Sequence, residues 1–189
     1  MKKVFLDCGG NYGQSIDRFK RASLYSPDFI IYSFEPNPIT NVAYKNRQDI
    51  IFSDKAVWIN DSTINFYISK RHKYVGSSLM AEKTSGHIDL EHPIVVQTLD
   101  FSKWLIDNFD KKDYILLKMD IEGAEYDVLE KMIKDGSINY INKMFIEFHS
   151  DKMVIEKDRH AKLINAISQI EGLELLSQLS DYIMESKKR

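Results

Sequence analysis

Short apolar runs alternate with amphipathic stretches along this chain, a pattern typical of folds in which strands and helices follow one another around a mostly parallel sheet. The apolar runs predict strands at residues 4–6, 29–34, 50–53, 63–68, 94–96, 114–119 and 143–148. Helical spacing of apolar side chains predicts helices at residues 15–21, 101–109, 125–133 and 159–170, and a further helix ending near residue 46. Two apolar runs within residues 173–184 predict a short C-terminal hairpin. The expected fold class is therefore α/β, with a mostly parallel sheet flanked by helices.

The pattern lapses between Lys70 and Pro93, where polar residues, glycines and histidines predominate. A loop of this length inside a compact domain is usually functional or mobile. We expect it to act as a lid or as a loop that binds a second substrate, the acceptor. Its candidate substrate-binding residues can stack on a sugar, donate hydrogen bonds to it or meet an acidic group. They are Arg71, His72, Tyr74, Ser77 and Ser78.

Composition and charge narrow the possible functions. The chain has 189 residues, which favours a single domain over residues 1–189. With 26 Lys and Arg against 28 Asp and Glu, it lacks the basic surface expected of a nucleic-acid partner. One cysteine excludes an internal disulfide and a cysteine-based zinc site, which fits a reducing compartment. No apolar run approaches the roughly 20 residues of a membrane span, and the first residues lack the apolar segment of a secretory signal, so we expect a soluble cytoplasmic protein.

A glycine-rich turn, Asp7-Cys8-Gly9-Gly10-Asn11-Tyr12-Gly13, links the first predicted strand to the first predicted helix. Sheets of this class bind ligands at such turns, and the turn alone suits NAD, FAD, a nucleotide or S-adenosylmethionine. A carboxylate at Asp7 would repel a pyrophosphate but suits a ligand that carries an ammonium and a sulfonium. A tight structural turn in which Asp7 is only a capping residue is the alternative. The candidate cofactor-binding residues are Asp7, Gly9, Gly10, Asn11, Gly13 and Ser15.

Glu35 ends the second predicted strand, about 20 residues after the glycine-rich turn. An acid at this distance can accept hydrogen bonds from both hydroxyls of a ribose. Pro36 follows it and stops the strand. After the third predicted strand, Asp54 can meet an adenine amino group and the small Ala56 leaves room for the ring. We therefore predict that these four residues bind a cofactor that contains adenosine.

Acidic residues and a histidine follow two later predicted strands. Asp120 and Glu122 come directly after residues 114–119, and Glu125 falls in the first turn of the next helix, where capping alone can explain it. Glu147 and His149 are two residues apart and point to one side of a strand. These side chains can supply a general base, or they can hold Mg²⁺ or Mn²⁺ and lower the pKa of a hydroxyl by coordination.

Six blocks of sequence, in order, resemble the FkbM-type methyltransferases. The most distinctive is Lys118-Met119-Asp120-Ile121-Glu122-Gly123-Ala124-Glu125. The others are the glycine-rich turn, Ser33-Phe34-Glu35-Pro36-Asn37-Pro38, Gly76-Ser77-Ser78-Leu79, Gln97-Thr98-Leu99-Asp100 and Ile146-Glu147-Phe148-His149. The chain departs from that family in having Cys8-Gly9-Gly10 where Val-Gly-Ala is common. It also starts directly at the first strand, so we expect residues 70–93 or a second copy in a homodimer to complete the acceptor site.

The resemblance implies a class I Rossmann-like fold, S-adenosylmethionine as cofactor, and O-methylation of a hydroxyl on a sugar, a glycan or another small natural product. In this hypothesis Asp120 lies beside the transferred methyl group, and Asp120 or His149 takes the hydroxyl proton. Glu122 and Glu147 then hold acceptor hydroxyls. An NAD-dependent oxidoreductase and a non-catalytic module that binds S-adenosylmethionine are the alternatives. The dense acids at the strand ends favour an enzyme over a binding module.

Overall fold

The computed structural model describes residues 1–150 and 157–177. The strands are β1 (Lys3–Cys8), β2 (Phe29–Phe34), β3 (Ile51–Ser53), β4 (Ala56–Trp58), β5 (Thr63–Phe66), β6 (Ile94–Asp100), β7 (Tyr114–Met119), β8 (Lys143–Ile146) and β9 (Glu174–Leu176). The α-helices are α1 (Gln14–Phe19), α2 (Phe101–Asn108), α3 (Glu125–Asp135) and α4 (Lys157–Ser168). None of the helices in these two ranges combines the length and apolar character required to cross a membrane.

Six strands form one sheet in the order β3-β2-β1-β7-β8-β9, and each neighbouring pair is parallel. The order reverses between β1 and β7, because the chain first builds outward on one side of β1 and then returns to build on the other. Ligands of open α/β sheets bind at such a reversal, outside the carboxyl ends of the strands. The topology therefore confirms the predicted Rossmann-like α/β fold and locates the expected site at the carboxyl ends of β1 and β7.

The two central strands are buried on both faces of the sheet. On β1, Val4 and Leu6 point to one face and pack in a cluster with side chains of α2, α3 and α4, while Phe5 points to the other and packs on α1. All three are fully buried. Each such side chain stabilises the fold by roughly 1.5–3 kcal/mol, so the sheet centre is a rigid support for the residues at its edge.

A second, three-stranded sheet stands beside the first, in the order β4-β6-β5. β4 runs parallel to β6 and β5 runs antiparallel to it. The sequence analysis missed β4, and β6 extends four residues beyond the predicted strand at 94–96. Isolated bridges from Tyr67 to Ser78 and from Ser69 to Ile88 order the long connection between β5 and β6. The loop predicted at 70–93 is therefore a folded structure.

Other predicted boundaries shift in the structure. The helix expected to end near residue 46 is a single 3₁₀ turn at Asn41–Tyr44. The strand predicted at residues 143–148 stops at Ile146, so His149 lies in the following loop. At the C-terminus β9 is a parallel strand beside β8. The second half of the predicted hairpin lies outside the described residues.

Candidate active site

A cleft of about 330 Å³ opens at the carboxyl ends of β1, β2 and β7, within the size range of small-ligand sites. Among its lining residues, those predicted from the sequence are Gly9, Gly10, Asn11, Ser15, Glu35, Pro36, Ala56, Tyr74, Ser77, Asp120, Glu122 and Glu147. Apolar side chains of β2, β4, β5 and the loop complete it, including Phe34, Val57, Phe66 and Leu79. The structure therefore brings together residues that lie far apart in the sequence.

The glycine-rich turn is held between the ends of β2 and β7. The backbone N–H groups of Gly9 and Gly10 donate to the carbonyl oxygen of Phe34, at 3.0 and 3.2 Å. Gly9 has a φ of +79°, and a Cβ at this position would overlap the carbonyl oxygen of Asp120. Only glycine fits such a close approach at a positive φ without strain. The contact draws Asp120 next to the turn.

Glu35 lies at the wall of the cleft with both oxygens oriented by backbone donors. The N–H of Asn11 donates to Oε2 at 2.7 Å, and the N–H of Asn37 donates to Oε1 at 2.9 Å. Burial raises the pKa of Glu35 to about 7, although these two hydrogen bonds and the Lys118 ammonium lower it. Each carboxylate oxygen keeps a second lone pair for a ligand hydroxyl. The position predicted for a ribose-binding acid is thus occupied by a fixed acceptor.

Asp7 does not line the cleft, which corrects its prediction as a cofactor contact. Its carboxylate is fully buried beneath the turn, where Ser15 Oγ donates to Oδ2 at 2.6 Å and Lys118 Nζ lies 3.3 Å from Oδ1. Lys118 Nζ also donates to the carbonyl oxygen of Gly9 at 2.7 Å and lies 3.4 Å from Asp120 Oδ2. Burial opposes the charge of Lys118, but Asp7 and Asp120 outweigh it and raise its pKa. Asp7 therefore supports the turn from behind.

Other predicted contacts lie off the cleft lining. Asp54 and Arg71 are exposed and are not among the residues that line it, so the predicted adenine contact of Asp54 is not supported by its position. Gly13 is the N-terminal cap of α1, where its φ of +84° turns the chain into the helix. Ser78 is buried and donates to the carbonyl oxygen of Glu122 at 2.7 Å. The backbone of His72 forms part of a 3₁₀ turn, His72–Tyr74.

A buried carboxylate orients His149. Glu125 accepts hydrogen bonds from the N–H groups of Ile121 and Gly123, at 2.8 and 2.9 Å, and lies 3.0 Å from Nδ1 of His149. Both side chains are completely buried. Backbone donors thus engage both oxygens of Glu125, and the contact with Nδ1 holds the imidazole ring in one orientation. Glu125 thus does more than cap its helix, because it also fixes the ring of His149.

The other ring nitrogen of His149 faces three carboxylates. Nε2 lies 3.2 Å from Glu122 Oε2, 3.8 Å from Asp120 Oδ1 and 3.8 Å from Glu147 Oε1. Burial lowers the pKa of His149, but the hydrogen bond to Glu125 and the nearby carboxylates outweigh it and raise the pKa. The structure therefore assembles the four residues that the sequence analysis predicted for catalysis, with His149 behind the cleft wall and the carboxylates on it.

The long loop supplies a residue that the sequence analysis missed. Lys83 is buried, donates to the carbonyl oxygen of Gly76 at 2.8 Å and forms an ion pair with Glu122 Oε2. Asn11 also reaches the loop, because its side-chain amide donates to the carbonyl oxygen of Lys73 at 3.3 Å. These contacts hold the loop against the cleft, where Tyr74 and Ser77 contribute to the lining. A lone lysine in a polar loop carries no local signal for such a role.

The chain was compared with known protein families. The model of the methyltransferase FkbM domain matches residues 7–174, which is most of the chain and includes all the residues that line the cleft. No curated protein and no solved structure matches the chain significantly.

Proposed function

Since the chain belongs to the FkbM methyltransferase family, we propose that it transfers a methyl group from S-adenosylmethionine to a hydroxyl of a sugar, a glycan or a similar small natural product. One observation carries the proposal: a fixed carboxylate for a ribose, Glu35, shares a cleft with Asp120 and Glu122, which border a buried histidine. The first feature suits the nucleoside part of the cofactor. The second suits an acceptor that must lose a proton.

The residues of the cleft fit the proposed cofactor in type. Glu35 accepts the ribose hydroxyls, and the backbone of Gly10 and Asn11 forms the floor beneath them. Ala56 and Phe66 offer the apolar surface that an adenine ring requires. Asp120 and its neighbouring carboxylates suit a cationic donor better than a phosphate chain. When bound, S-adenosylmethionine supplies a methyl group on a sulfonium, and its carbon–sulfur bond breaks as the acceptor oxygen bonds to the carbon.

The residues around Asp120 prepare the acceptor. A sugar hydroxyl is a weak nucleophile, and general-base assistance accelerates its reaction by about 10² to 10⁴. Of the two candidate bases, Asp120 lines the cleft, with a side chain that is 27% exposed, whereas His149 is fully buried. We therefore assign the hydroxyl proton to the Asp120 carboxylate. Glu147, whose side chain is 53% exposed, and Ser77 are positioned to bind further hydroxyls of the acceptor.

Two measurements test the proposed function. Calorimetric titration with S-adenosylhomocysteine is expected to give one site per chain, with weaker binding in Glu35→Gln. Incubation with S-adenosylmethionine and a panel of sugars and glycans, followed by mass detection, is expected to show addition of one methyl group. Asp120→Asn should reduce this rate by about 10² or more, while the matched surface variant Glu171→Gln should not change it.

Other outcomes of these measurements would overturn the proposal. Binding of NAD in place of S-adenosylhomocysteine would indicate an oxidoreductase. Binding of S-adenosylhomocysteine without methylation of any acceptor in the panel would favour a non-catalytic module. Methylation of a nitrogen, detected by fragmentation of the product, would retain the family activity and refute the hydroxyl acceptor.

A further inference from the structure

We infer that Asp120, Glu122 and His149 form a binding site for one divalent cation, with Mn²⁺ as the ion that its ligands suit best. The part of this inference that concerns catalysis, polarisation of the acceptor hydroxyl by the cation, rests on the proposed function. The site itself rests on the side chains. One ligand atom from each of the three residues lies within 4.8 Å of the other two.

The strongest argument is that one ring nitrogen of the buried His149 lacks a hydrogen-bond partner in the part of the chain that the structure describes. Its Nε2 atom is buried and has no hydrogen-bond partner among the described residues, even though Glu122 Oε2 approaches to 3.2 Å. A buried polar atom without a partner destabilises a protein by about 1–3 kcal/mol. Glu125 Oε1 lies 3.0 Å from Nδ1 on the other side of the ring, so Nε2 is the nitrogen that faces the carboxylates of Glu122 and Asp120. A cation at this point would satisfy it.

The arrangement behind the ring is the one that metal-binding histidines use. Such a histidine commonly donates its second N–H to a carboxylate, which fixes the ring and makes the ligating nitrogen more basic. Glu125 fills this role, and two backbone N–H groups fix Glu125 in turn.

The spacing of the ligand atoms suits a six-coordinate cation. Adjacent ligands of an octahedral ion with bonds of about 2.1 Å lie about 3 Å apart, and opposite ligands about 4.2 Å apart. The separations from His149 Nε2, 3.2 Å to Glu122 and 3.8 Å to Asp120, fall near this range. Two carboxylates favour Mg²⁺ or Mn²⁺, and the imidazole shifts the preference from Mg²⁺ to Mn²⁺. Three protein ligands leave positions for water or for an acceptor oxygen.

The backbone and the loop fix Glu122 for this role. Glu122 has a φ of +56°, an uncommon conformation for a residue other than glycine, and it persists where the surroundings impose it. Ser78 donates to its carbonyl oxygen and the Lys83 ammonium contacts its carboxylate. Lys83 and Lys118 offset part of the charge of Asp7, Asp120, Glu122 and Glu125. Four carboxylates against two ammonium groups still attract a divalent ion.

A cation here would explain why the cleft places its acids beside a buried imidazole. Bound to Asp120 Oδ1, it would face the acceptor hydroxyl, lower the pKa of that hydroxyl and leave the second oxygen of Asp120 to receive the proton. The cation does not change the products of the transfer. The acceptor loses a proton and gains the methyl group, and the sulfonium of the donor becomes a thioether.

Direct binding of Mn²⁺ tests the site without reference to turnover. The full chain, treated with EDTA and dialysed, is titrated with MnCl₂ alone, with and without saturating S-adenosylhomocysteine, and free Mn²⁺ is followed by electron paramagnetic resonance. We expect one bound Mn²⁺ per chain. Glu122→Gln and Asp120→Asn should each weaken binding at least tenfold, in line with the roughly 10–100-fold that loss of a supporting group costs. Glu171→Gln is the matched control, and it should bind as the wild type does.

His149 needs a second readout, because its replacement removes the side-chain partner of the buried Glu125 carboxylate and can prevent folding. Crystals soaked in MnCl₂ and measured at the manganese edge should show one anomalous peak between His149 Nε2 and the two carboxylates. No peak there, or Mn²⁺ binding that Glu122→Gln and Asp120→Asn leave unchanged, would overturn the inference.

The inference and the proposed function can fail separately. Binding of S-adenosylhomocysteine and methyl transfer that persist in EDTA, with no Mn²⁺ bound, would refute the cation and retain the methyltransferase. Mn²⁺ bound as expected in a protein with no affinity for S-adenosylhomocysteine would refute the proposed function and retain the site.

Discussion

Protonation of Glu35 provides a sharp test of the proposed cofactor site. Burial raises the pKa of this carboxyl to about 7, and the charged groups acting on it are Lys118, which lowers the value, and Asp7, which raises it. Ribose hydroxyls donate hydrogen bonds to the ionised form, so a bound nucleoside favours loss of the proton. Binding must therefore weaken as the pH falls through 7.

The size of the effect follows from the pKa. If only the ionised form of Glu35 binds the ligand, the apparent Kd is multiplied by the factor 1 + 10^(pKa − pH). The factor is about 1.1 at pH 8, about 2 at pH 7 and about 11 at pH 6, so the affinity falls about tenfold between pH 8 and pH 6. This is a loss of about 1.4 kcal/mol of binding free energy.

The stability of the free protein should depend on pH in the opposite direction, because protonation of Glu35 favours the folded state. The pKa of Glu35 is higher in the folded chain, about 7, than its ordinary value of 4.5, so the folded state holds the proton more tightly. The resulting stabilisation is fully present below pH 4.5 and is lost as the pH rises through 7. Its upper limit is about 3–4 kcal/mol, from a pKa about 2.5 higher than the ordinary value at about 1.36 kcal/mol for each unit of pKa.

Calorimetric titration of S-adenosylhomocysteine at pH 8, 7 and 6, at constant ionic strength, measures the first effect, and urea denaturation of the free protein measures the second. Glu35→Gln is the control, because it keeps the shape of the side chain and cannot ionise, so titrations of other groups and of the ligand cancel in the comparison. A wild-type Kd that changes with pH no more than that of Glu35→Gln would refute the assignment of Glu35 to the ribose.

Three substitutions, at Gly9, Lys83 and Lys118, test the framework of the site, and Gly172→Ala is the control for the first. Gly9 and Gly172 have nearly the same positive φ, +79° and +78°, but a Cβ on Gly172 meets nothing within 4 Å. In urea denaturation, Gly172→Ala should lower the free energy of unfolding by about 1–2 kcal/mol, and Gly9→Ala should lower it by at least about 1 kcal/mol more. Equal losses would contradict the predicted overlap at Gly9. Lys83→Met should lower the free energy of unfolding by roughly 1.5–3 kcal/mol, because Glu122 loses a charged donor, and should speed protease cleavage within residues 70–93; an unchanged cleavage rate would contradict it. Lys118→Met leaves two carboxylates without their buried ammonium and should lose about 3–5 kcal/mol, whereas a midpoint in urea equal to that of the wild type would show that the ion pairs contribute nothing.

The large parallel sheet and the family could be predicted from the sequence because both depend on local features. The apolar runs of β1, β2 and β7 are continuous, and each ends at a polar or glycine-rich turn, so their type and direction follow from the sequence alone. The same turns carry the motifs of the family. The order of the strands then brings Glu35, Asp120 and Glu122 to one cleft without further information.

The remaining features depend on partners that are distant in the chain. The sequence analysis assigns Asp7 to the cofactor because a carboxylate beside the glycine-rich turn suits a ligand that carries an ammonium and a sulfonium, yet the parallel register sets Asp7 opposite Lys118 on β7. β4 has only three residues, too few for a period to show, and it exists because β6 offers it an edge. The ion pair of Lys83 likewise depends on the path of a loop. Such pairings become visible only when the chain is folded.

The long loop over the cleft has one further property, which comes from its attachment. It joins β5 and β6, neighbouring antiparallel strands whose last rung pairs Phe66 with Ile94. Its two ends therefore stay fixed by the ladder whatever lies between them, and extra residues add little closure entropy. Insertions, deletions or a transplanted segment can reshape this cover while the parallel sheet keeps its geometry. Changes in this loop can therefore alter which acceptor binds, while the ends of the parallel strands that we propose bind the donor keep their positions.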